Sequence, residues 1–175
     1  SRVPINYPAR SGQTERTVAD LIEHEKLACR SGGNQPLRLI ALSYYVETPT
    51  WKNSQGEEWS IDRMLKEEMD CSADDTINTG ALRLLAASCA IQQRTKLKQP
   101  IDGDFLRAKQ WLDASREYLM RNQSSDGSWG ANGRDNVAPL ACTGRSLQWL
   151  AMTLSDKELE QPEIVQAVEY LANQL

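Results

Sequence analysis

Apolar residues recur at spacings of three and four along nearly the whole chain, the pattern of helices that bury one face. No stretch alternates apolar and polar residues well enough to read as a strand. The pattern predicts a first helix over 14–30, with Val18, Leu21, Ile22 and Ala28 inward, stopped by "SGGN". Pro36 fits the first turn of a second helix, "PLRLIALSYYVE". "TPTWKNSQGEEW" reads as a loop carrying two tryptophans, after which Ser60 caps a third helix, "IDRMLKEEMD". "CSADDT" separates this from a long fourth helix, "INTGALRLLAASCAIQQ". A fifth is expected over 104–122, a sixth starts at Pro139, and "EIVQAVEYLANQL" makes the last.

These segments differ in kind. The second, fourth and sixth are rich in small and apolar residues, among them Ala41, Ala81, Ala86, Ala87, Ala90, Ala141 and Ala151, and read as buried on most sides. The others carry one apolar stripe and a charged back. The chain thus alternates outer and inner helices, and its outer helices start about forty-five residues apart, in the range of helical-pair repeats. The fourth and sixth helices share an early Thr-Gly pair, Thr79-Gly80 and Thr143-Gly144, where a glycine removes bulk between close helices. The expectation is an all-α fold of about seven helices: one partial α/α toroid over residues 1–175, with 1–13 an extended, loosely held lead-in.

Composition narrows the functional classes. The 175 residues suffice for one domain with a core, and 40% are hydrophobic. The net charge is −4 and the basic residues are dispersed, which argues against a nucleic-acid partner. No apolar run is long enough to span a bilayer. The N-terminal residues lack a signal peptide's order, yet a secreted or periplasmic soluble protein remains compatible with the sequence. Nor does the last helical pattern stop before Leu175, so the chain reads equally as a whole protein or as part of a longer one. The four cysteines, Cys29, Cys71, Cys89 and Cys142, form no C-x-x-C pair, and the single histidine, His24, sits on a charged face. Buried thiols are expected over disulfides, and neither a zinc site nor a cofactor is expected.

One segment, "YLMRNQSSDGSWG", places a large ring where a turn is normally polar. It resembles the QW repeat of squalene–hopene cyclases and related terpene cyclases and prenyltransferases, in which a Gln and a Gly-x-Trp follow a helix. The matching residues are Leu119, Gln123, Gly127 and Trp129, and the resemblance implies a structural clasp between a helix end and the next inner helix. Residues 51–175 also resemble a bacterial family of toroid-like proteins without an assigned activity, through "GEEWSIDRML", "QQRTKLKQPIDG", "TGRSLQWLAMTLSDKEL" and "AVEYLANQL". That family carries His where Leu82 and Arg145 stand, so chemistry depending on those histidines would be absent.

Candidate chemistry follows from the same segments. "SADDT" is similar to the Asp-x-Asp-Asp-Thr motif of class II terpene cyclases, which would make Asp74 a general acid and Asp75 its neighbour. Ser72 replaces the first Asp, and one Phe is too few rings for a cation-holding pocket, so helix capping is the simpler role. A prenyltransferase-like zinc site fails for want of histidine. A carbohydrate-active α/α barrel would use Trp51 and Trp59 for stacking, with Glu57 and Glu58 together with Asp74 or Asp75 as its carboxylates; buried loop anchors are the alternative for both rings. Arg83 and Arg145, early in two inner helices, would bind an anion if they faced a cavity, and would otherwise be paired with carboxylates. The favoured reading is a binding or scaffold module without cyclase activity. Its partner would be a small molecule or a protein, and a second copy of the chain is one candidate.

Overall fold

The computed structural model describes residues 3–11, 14–32, 35–70, 77–130 and 139–174. They are mostly helical, which makes the all-α character plain. Eight helices and two short hairpins occur among them. By its contacts the chain forms two compact units, Ser1–Cys71 with Cys89–Ala108, and Ser72–Ser88 with Lys109–Leu175.

The first unit opens with an antiparallel hairpin, β1 (Pro8–Ser11) and β2 (Thr14–Thr17). This corrects the helix expected over 14–30, whose start moves to Val18 in α1 (Val18–Leu27). Thr17 is extended and acts as the cap: its hydroxyl accepts from the Asp20 N–H at 3.2 Å. Asp20 in return accepts from the Thr17 N–H at 2.8 Å. This reciprocal box satisfies two backbone donors at the helix start. Further N–H groups of the first turn, at Val18 and Ala19, donate to the carbonyls of Tyr7 and Ile5. The lead-in is therefore tied to the helix start by backbone bonds.

α2 (Pro36–Tyr45) begins at the expected proline and buries Leu39 and Leu42 completely. Beyond it, the expected tryptophan loop is a hairpin, β3 (Trp51–Lys52) and β4 (Glu58–Trp59), with Trp51 opposite Trp59. Asn53 shapes its turn: Oδ1 accepts from the N–H groups of Gln55 and Glu57, and Nδ2 donates to the Cys29 carbonyl at 2.9 Å. Ser60 caps α3 (Ile61–Asp70), its hydroxyl accepting from the Arg63 N–H at 3.0 Å. Met64 and Leu65 carry the buried stripe of α3.

α4 (Ile77–Lys96) and α5 (Gly103–Arg121) each contribute residues to both units. α4 buries five successive residues, Ala86 to Ala90, as expected of a helix enclosed on most sides. α6 (Pro139–Thr153) starts at its proline. "SDKEL" adds a one-turn helix, α7 (Asp156–Leu159), before α8 (Pro162–Ala172). The Glu158 carboxylate accepts from the Ser155 N–H and hydroxyl, which holds that turn. The second unit's core gathers Trp129, Trp149, Leu150, Ile164 and Ala167, with Leu84, Leu85, Leu112 and Leu119 against it.

Candidate functional site

The turn over residues 122–130, after α5, is a clasp. Gln123 Nε2 donates to the Gly127 carbonyl at 2.9 Å, closing the turn, and to the Glu163 carbonyl of α8 at 2.6 Å. Gly127 has φ +85°, and a Cβ there would collide with the Gln166 carbonyl, so both backbone and space require glycine. Asp126 accepts from the N–H and hydroxyl of Ser128, bonds that hold its carboxyl below the usual range. Trp129 follows, 1% exposed, its N–H donating to Thr143 Oγ1 of α6 at 2.9 Å. The turn thus links the end of α5 to α6 through backbone and to α8 through Gln123. The role of Thr143, early in α6, was legible only as half of a Thr-Gly pair.

Around this scaffold α4 and α6 present a pocket of about 200 Å³ lined by Ala81, Leu82, Leu85, Arg145, Gln148 and Trp149. Trp149 is a fixed wall. Its ring is 4% exposed, and Nε1 donates to Ser88 Oγ at 3.1 Å, while Ser88 donates to the Leu84 carbonyl. The Nη1 atom of Arg145 is buried and has no hydrogen-bond partner among the described residues. A guanidinium nitrogen in that condition favours an anion, because a buried charge without a partner is costly. Leu85 and Gln148, also in the lining, were not among the sequence candidates, and Leu82 was singled out only as a position where the resembled family carries His.

A scan of family models, a search of curated proteins and a search of solved structures each returned no match to the chain.

The remaining sequence candidates fall elsewhere. Arg83 is 6% exposed, with its guanidinium 5.9 Å from the Trp111 ring centroid, and it does not line the pocket. Trp51 and Trp59 are 8% and 0% exposed. Their pairing across the hairpin leaves no open ring face, so they are core anchors and not a sugar platform. Arg63 stacks over Trp59 at 4.1 Å. Glu57 accepts from Asn53 at 3.0 Å and lies 3.6 Å from Arg63, engaged in the turn. Asp74 and Asp75 lie outside the described residues. His24 is exposed on α1, and no metal-holding cluster occurs among the described residues. Cys29, Cys89 and Cys142 carry buried thiols, and burial pushes those of Cys29 and Cys89 up. No described helix is long and apolar enough to cross a membrane.

Proposed function

We propose that this chain is a binding module built on a partial α/α toroid, and that the α4–α6 pocket receives the carboxylate end of a small organic acid. The observation that carries the reading is the buried, unpartnered Nη1 of Arg145 in the pocket wall. A planar guanidinium matches a carboxylate in charge and geometry. Leu82, Leu85 and Trp149 supply apolar contact for a short carbon chain, and a pocket of about 200 Å³ limits its length. The clasp geometry of Gln123, Gly127 and Trp129 supports the relation to cyclase-type repeats. So does the convergence of Leu82 and Arg145, the two positions where the resembled bacterial family carries His, on one pocket.

The test is calorimetric titration with butyrate, with butanol as the neutral control, on the wild type and on Arg145→Gln. Butyrate binding is expected, at least tenfold weaker in Arg145→Gln and absent for butanol. Arg145→Gln should keep its unliganded melting temperature within about 2 °C, because it removes a charge that makes no bond through Nη1. Butyrate binding unaffected by the substitution, or no binding in the wild type, would overturn the assignment.

A further inference from the structure

A groove larger than the Arg145 pocket adjoins it within the second unit. It measures about 650 Å³ and lies among α4, α5 and α6. Two indoles, Trp111 and Trp149, line it with Leu84 and Leu119, and no charged side chain is in its lining. Its width comes from small residues on the helices around it, among them Gly80 on α4 and Ala114 on α5. A Cβ at Gly80 would meet nothing within 4 Å among the described residues, and the same holds at Gly144 of α6. The Thr-Gly pairs suggested glycines that let helices approach closely. The space beside both is open instead. Glycine inside a helix is unfavourable, and no close packing among the described residues offsets it here.

Ala81 and Trp149 line both the groove and the Arg145 pocket, so the two spaces meet at those side chains. On α4 the shared wall is a single methyl. One side of it holds a guanidinium whose Nη1 is buried without a partner among the described residues. The other side is uncharged and mostly apolar. A molecule complementary to both carries a negative charge at one end and hydrocarbon along the rest. The pocket of about 200 Å³ holds only a short chain by itself. Further carbons must leave it, and the groove beside it keeps them from water. Its size and its place between helices are those of small-molecule sites.

We infer that the ligand is a medium-chain fatty acid, with its carboxylate at Arg145 and its alkyl tail passing Ala81 and Trp149 into the α4–α5–α6 groove. The inference rests on the reading of the Arg145 pocket as a carboxylate site and adds the class of acid. Charge selects this occupant over other amphiphiles. A fatty amine would set its charge against Arg145, and a neutral hydrocarbon would leave Nη1 without a partner.

Calorimetric titration with butyrate, octanoate and octanol tests it. Each methylene taken from water is worth about a fourfold gain in affinity, so octanoate should bind about thirtyfold tighter than butyrate or better. Octanol, with the tail and no charge, should bind at least about tenfold weaker than octanoate. Gly80→Leu and Ala114→Leu fill the groove from two different helices with a good helix former. Each should remove most of the gain from lengthening while the melting temperature stays within about 2 °C or rises. Butyrate binding that depends on Arg145, with octanoate no tighter, would overturn this inference and leave the carboxylate site standing. No binding of either acid would overturn both. Octanol binding as tightly as octanoate, or a gain that survives both leucine variants, would also overturn the inference. So would sedimentation as a dimer that Ala114→Leu disrupts, which would assign the groove to a second copy of the chain.

Discussion

Replacing Trp129 by alanine tests the architecture most directly. The ring is 1% exposed and belongs to the core cluster with Trp149, Leu150, Ile164 and Ala167. Truncating such a ring costs about 3–5 kcal/mol in lost transfer energy and residual cavity. Domains are typically stable by only about 5–15 kcal/mol, so the loss is a large fraction of the total. At about 2–4 °C per kcal/mol for a chain of this size, the midpoint should fall by about 6–20 °C. Trp129→Phe separates packing from hydrogen bonding. Nε1 of Trp129 has no hydrogen-bond partner among the described residues, so losing that N–H breaks no bond there. The backbone N–H that donates to Thr143 survives in both variants. The phenylalanine variant should therefore lose about 1–2 kcal/mol, mostly from volume. Urea unfolding followed by near- and far-ultraviolet circular dichroism measures both. A loss below about 1 kcal/mol in Trp129→Ala, or equal losses in the two variants, would show that burial of the indole is not what holds the turn.

Two further predictions concern protonation and thiols. The Asp126 carboxyl is held low by its bonds to the Ser128 hydroxyl and N–H, so its contribution is present above its unfolded pKa and is lost as pH falls through the lower folded value. Asp126→Asn should lower the melting temperature at pH 7, with the gap closing below about pH 4; a gap that stays constant with pH would remove the carboxylate from the account. Cys29 and Cys89 are buried with raised thiols, so an aromatic disulfide reagent at pH 8 should label them slowly in the native protein and fast in urea. Rapid native labelling of either, read by mass spectrometry, would contradict their burial.

Helical character was legible because it is local. Pro36 and Pro139 begin helices where the sequence puts them, and Ser60 caps α3 as its position implies. The hairpins were not legible, because pairing depends on two segments at once. "TERT" has no alternation of its own, and its strand exists through its ladder to Pro8–Ser11. The signal that was available there is Thr17 followed three residues later by Asp20, a reciprocal cap that fixes the helix start after the strand. Trp51 and Trp59 likewise sit in a polar run that reads as an open loop. Only their register across the hairpin turns two candidate platforms into core anchors. Of the clasp, Gln123, Gly127 and Trp129 could be picked out by residue type. The reach of Gln123 to the Glu163 carbonyl, forty positions away, could not.

Arg83 and Arg145 show where local reading stops for the site. Each is an arginine following a Thr-Gly pair early in a helix rich in small residues, and residue type and spacing alone do not separate them. Their environments separate them. The Arg83 guanidinium lies 5.9 Å from the Trp111 ring of α5, and Arg83 is not part of the pocket lining. At Arg145 the nearby ring is Trp149, whose Nε1 is bonded to Ser88 and whose ring closes one side of the pocket. One nitrogen of Arg145 is left buried without a partner among the described residues. A protein selected only for stability would gain by replacing such a group with an apolar residue, since a buried charge lacking a complete set of bonds costs more than it contributes. Its place at a pocket wall beside Leu82 and Leu85 is what the proposed carboxylate ligand would account for, by completing those bonds.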